Sequence, residues 1–90
     1  MAYALTLPKK FKDQQWKAKI RDRERMEPPH VTILHKTRAW RIGLRHGAFL
    51  DGKPAPSDVP EDLVAFILRQ TPELVVRWDE MYPRNPVESD

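Results

Sequence analysis

The chain has 90 residues, with 16 Lys and Arg, 13 Asp and Glu, nine Pro, three Gly and no Cys, which is enough for one domain and too short for a second core. The absence of Cys excludes a disulfide scaffold, thiol catalysis and Cys-ligated zinc or iron–sulfur sites, and no apolar run reaches the ~18–20 residues of a membrane span. The net charge of +3 conceals an asymmetry: residues 1–53 carry 13 cations and five acids, a net of +8, while residues 54–90 carry three cations and eight acids, a net of −5.

Such a split points to a basic surface that meets an anion, with nucleic acid first in line. The plainer alternative is a charged face that only keeps a small domain soluble. The start of the chain has no basic residue before its short apolar stretch, so it reads as no secretion signal, and the cytoplasm is the expected compartment.

Residues 1–12 read as an N-terminal leader or, by the alternation of Tyr3, Leu5 and Leu7, as an edge strand. Residues 13–82 read as a single α+β domain and 83–90 as a C-terminal tail. From Trp16 the pattern is clearer: Trp16, Ala18 and Ile20 alternate with Lys17, Lys19 and Arg21, the period of a half-buried strand. The run Arg21-Asp22-Arg23-Glu24-Arg25 is too charged to bury and reads as a solvated turn closed by Pro28-Pro29. His30 to Lys36 is a second strand, rich in β-branched residues. A turn near Lys36-Thr37 leads to a third over 38–45, with Trp40, Ile42 and Leu44 on one side and Arg41 and Arg45 on the other. His46-Gly47 suits a tight hairpin, and Phe49-Leu50 reads as a short fourth strand.

Gly52, Pro54 and Pro56 mark a loop. Asp58 with Glu61 three residues on has the spacing of a capping box. Helical spacing follows through Leu63, Phe66 and Ile67, and again through Leu74, Trp78 and Met81. Pro72 between them predicts two short helices or one sharply kinked helix, the break being favoured, with Thr71 a fair second N-cap. Tyr82-Pro83 ends the helical stretch. The expected fold is therefore α+β: a three- or four-stranded antiparallel sheet followed by C-terminal helices on one face. The expected core is Trp16, Ile20, Val31, Ile33, Trp40, Ile42, Leu44, Leu63, Phe66, Ile67, Leu74 and Trp78. The opposite sheet face then gathers Lys17, Lys19, Arg21, Arg41 and Arg45, with His46 at the hairpin tip, as a candidate nucleic-acid-binding surface.

Among candidate reactive groups, His30 stands out as a general base because Pro28-Pro29 fixes its backbone. His30 and His35 are five apart on one strand and face opposite ways, so they share no metal. No metal, cofactor, phosphate loop or nucleophile signature is expected. Trp16, Trp40 and Trp78 fall on the apolar face and read as core, not as base-stacking platforms. The pairs Glu61/Asp62 and Asp79/Glu80 form an acidic helical surface. Catalysis is left open. The two candidate partners are RNA or another polyanion at the basic face, and a protein docked on the acidic helices, with no membrane partner.

The stretch Glu27-Pro28-Pro29-His30-Val31-Thr32-Ile33, with Ala39-Trp40-Arg41-Ile42 and a C-terminal helix carrying Leu74 and Trp78, resembles a bacterial family of unknown function. That family has a Pro-Pro-His-x-His strand before a short hairpin and a terminal helix. The resemblance spans about residues 15–82. It implies a place in a toxin–antitoxin-like gene pair, with a small operon partner and RNA as a target. Of the two family histidines only His30 carries over; Thr32 stands at the second position.

Overall fold

The computed structural model describes residues 2–22 and 26–88. Four strands, β1 (Tyr3–Leu5), β2 (Lys17–Ile20), β3 (His30–His35) and β4 (Arg38–Gly43), form one antiparallel meander in the order β1-β2-β3-β4. Helix α1 (Lys9–Asp13) connects β1 to β2, and α2 (Glu61–Arg69) and α3 (Thr71–Met81) follow the sheet. The fold is α+β, as the change of period near Asp58 implies.

Register fixes which residues share a face. Leu5, Ala18, Ile33 and Trp40 lie in one row, with Ile20, Val31 and Ile42 beside them. All seven are buried, and Leu63 and Ile67 of α2 and Leu74 and Trp78 of α3 complete the core. The i, i+4 spacing in each helix puts both residues on one side. The other row, Ala4, Lys19, Thr32 and Arg41, is continued by Lys17, Leu34 and Ala39. Of the expected core only Phe66 is half-buried.

Several local expectations need correction. The edge-strand reading of Tyr3 and Leu5 holds in β1, which supplies the fourth strand and is followed by a helix, whereas Phe49, expected in a fourth strand, makes only a single bridge to Ile42. β2 begins at Lys17, because Trp16 closes the end of α1. β4 stops at Gly43, where the chain turns and Gly47 adopts φ 66°. The capping box at Asp58 does not form. Asp58 ends a short 3-10 turn and accepts from Arg38 at 2.8 Å, while the Pro60 carbonyl accepts the first bonds of α2. The break before Pro72 is real, but its cap is Gln70, not Thr71. Of the charged run 21–25, residues 23–25 lie outside the described residues.

Among the described residues, two turns carry left-handed backbone on residues other than Gly. After α1, the Trp16 N–H donates to the Phe11 carbonyl and the Gln15 N–H to Lys12, which is a Schellman closure with Gln15 at φ 69°. Between β3 and β4 a two-residue turn, Lys36-Thr37, places Lys36 at φ 57°. Gly or Asn is the ordinary occupant of such positions.

Candidate nucleic-acid interface

Register spreads the expected cations along the sheet, with Lys19 and Arg41 sharing the Thr32 row at mid-strand. Arg45 and His46 lie beyond the Gly43 end of β4, and Lys17 lies opposite Leu34, near the β3–β4 turn.

Toward the Gly43 end two of the guanidinium groups are held by partners within the chain. Arg41 donates from Nε and Nη2 to both Asp51 oxygens at 2.7 Å, and from Nη1 to Glu27 at 2.8 Å. The bidentate geometry raises the Arg41 pKa and lowers that of Asp51 below the usual 3.8, chiefly through those hydrogen bonds. Arg45 donates to the carbonyls of Val87 and Pro86 at 2.7 and 3.0 Å, which ties the C-terminal segment to the sheet. A guanidinium held by two carboxylates offers no net positive charge to a phosphate, so Arg41 reads as a fastener of the loop at Asp51. Arg21 lies just past the end of β2, and His46 is exposed in the turn.

His30 sits in the same neighbourhood. Its ring is 0% exposed, donates from Nδ1 to the Pro28 carbonyl at 2.8 Å, and packs 5.5 Å from Trp78. Its Nε2 is 3.8 Å from Glu27. A general base has to reach the proton it removes. A ring with no exposed surface reaches no polymer in this conformation, and the position instead locks the start of β3.

The carboxylate of Asp51 makes a pH signature here. A folded pKa below the unfolded one adds stability above about pH 4, which is lost as pH falls through the folded value. Solvent still reaches both side chains, so the contribution is at most about 1 kcal/mol. Asp51→Asn is expected to lower stability by that order at pH 7 and to flatten the loss below pH 4. Urea titrations at a series of pH values measure it, and parallel curves for the two proteins would contradict it.

The opposite end is different. Lys12 of α1, Gln15 and Trp16 of the turn after it, Lys17 and Lys19 of β2, Leu34 of β3 and Lys36 of the β3–β4 turn line a groove of about 600 Å3. No carboxylate lines it. Among the described residues, none of these four lysines makes an ion pair. Both left-handed residues, Gln15 and Lys36, stand in its wall. Trp16 is largely buried, with its ring stacked on His35 at 4.0 Å and 11°.

No family model, curated protein or solved structure matches the chain. The resemblance to the Pro-Pro-His family thus rests on its motif residues alone. Among the described residues no three His, Asp or Glu side chains converge as a metal site, and no helix is long and apolar enough to cross a membrane.

Two of the four groove lysines, Lys17 and Lys19, follow from period two in the sequence. Lys12 and Lys36 do not. The available signal for Lys12 was the Pro8 start of a short helix whose Lys9 and Asp13 are four residues apart and pair at 2.7 Å. For Lys36 it was position in a two-residue turn between paired strands.

Proposed function

We propose that the protein binds a polyanion, with RNA the leading case, through phosphate contacts from Lys12, Lys17, Lys19 and Lys36. The observation that carries this reading is which charges are left over. The acids of the C-terminal half are largely engaged: Asp58 by Arg38, Asp62 by Lys10, Asp79 by the Val87 N–H, and Glu73 and Glu80 by Arg77. That weighs against the acidic helices as a docking surface. Among the described residues the groove lysines have no such partners.

Lysine is a compact point charge with three rotatable donors, suited to phosphate and poorly suited to bidentate reading of a base edge. The expected binding is therefore insensitive to sequence and sensitive to salt. Each neutralised phosphate releases counterions, so the logarithm of affinity falls against the logarithm of salt with a slope of about −0.7 per lysine on a single strand. Four engaged lysines give a slope near −2.8. Fluorescence anisotropy of a labelled RNA across a salt series measures this. A slope near zero would point to a packing-driven contact, and no binding at low salt would end the reading.

A further inference from the structure

We propose that the occupant of the lysine groove is single-stranded RNA, preferred over duplex; this deepens the reading above and rests on it. The lining is mixed. Four cations line the groove together with the half-buried Leu34 and the 6% of Trp16 that is exposed, with Gln15 as the one uncharged polar side chain. A duplex shows a protein its phosphates and sugars and keeps its base faces inside the stack, so it would leave the apolar part of this lining without a partner. A single strand offers phosphates and base faces together, and grooves that bind single strands combine a cationic track with stacking or apolar surface.

Shape agrees with composition. The groove is bounded by α1 and its turn on one side and by the Lys36 turn on the other, with β2 as its floor. At about 600 Å3 it has the scale of a small-ligand site, room for a short piece of one strand and not for a double helix to enter. Lys17 and Lys19 project from the same face of β2, about 6.8 Å apart along the strand, and so address successive phosphates of one extended backbone. Lysine donors do not discriminate bases, so the preference is for strandedness and not for sequence.

The experiment compares three labelled or competing probes at about 20 mM salt, where electrostatic binding is strongest. They are a single-stranded RNA of about 10 nucleotides, long enough to cross the groove with both ends free, the matching duplex, and inorganic polyphosphate of equal charge. Single-stranded RNA is expected to bind about tenfold or more tighter than either competitor. Lys17→Ala, at an exposed position, is expected to weaken RNA and polyphosphate alike by about two- to fivefold. Leu34→Ala is expected to weaken the single strand by about threefold and leave the duplex unchanged, with a melt confirming that the variant folds. Duplex or polyphosphate binding as tight as the single strand would overturn the preference and leave the polyanion reading standing. No binding of any probe would overturn that reading itself.

Discussion

Trp78→Ala is expected to cost about 3–5 kcal/mol, the range for truncating a large aromatic in a core. For a chain of this length total stability is roughly 5–13 kcal/mol, so the variant sits at or near the edge of folding. Trp78 is 0% exposed and joins parts of the chain that are distant in sequence. Its ring meets Tyr82 at 4.4 Å and His30 at 5.5 Å, and its Nε1 donates to the Asn85 carbonyl at 2.7 Å. Asn85 donates in turn to the Glu27 carbonyl at 2.7 Å, and the Tyr82 hydroxyl to the carbonyl of Arg21. Removing the indole leaves a cavity, takes away the donor to the Asn85 carbonyl and unseats the segment that closes over the start of β3. The melting temperature should fall by roughly 12–40 °C, read by calorimetry or near-ultraviolet dichroism. A fall of less than about 5 °C would show that the site repacks and that the hub is not one.

Reversing charge in the groove should do the opposite: a large effect on binding with almost none on folding. Lys17→Glu combined with Lys36→Glu removes two phosphate contacts and places two carboxylates where the polymer runs. Affinity for single-stranded RNA should drop about a hundredfold at low salt, and the salt slope should shrink from about −2.8 to about −1.4 or less. Both side chains are exposed, so stability should change by no more than about 0.5 kcal/mol. Anisotropy and a denaturant titration on the same preparation separate the two readouts. Unchanged RNA affinity in a folded double variant would remove the groove from consideration.

The fold was largely legible because its signals are periodic. Alternation placed β2, β3 and β4, and helical spacing with Pro72 placed two helices in place of one. Elements that depend on few residues were harder. β1 is three residues long and α1 five, too short for either period to stand out. The capping box failed because α2 starts at Glu61 with Pro60 at its N-cap, two residues past Asp58, whose carboxylate accepts from Arg38 instead. The site was half legible for a similar reason. Period two says which way Lys17, Lys19 and Arg41 point, but it does not say which of them meets a carboxylate. Arg41 is matched to Glu27 and Asp51, fourteen and ten residues away, and no local pattern announces that pairing. His30 was singled out by its two preceding prolines, yet those same prolines set it into the core beside Trp78.

The left-handed residues at the groove wall make this protein improvable in two ways that differ in kind. Each costs on the order of 1–2 kcal/mol relative to an unstrained backbone, and glycine relieves that cost while adding some freedom to the unfolded chain. At Gln15 the exchange surrenders no charge, so Gln15→Gly should give about 1 kcal/mol of stability with the salt slope of RNA binding unchanged. At Lys36 the same exchange removes a cation from the wall, so Lys36→Gly should gain similar stability and lose RNA affinity about two- to fivefold. The conflict between durability and activity, usually spread over a whole molecule, is here confined to one side chain in a two-residue turn.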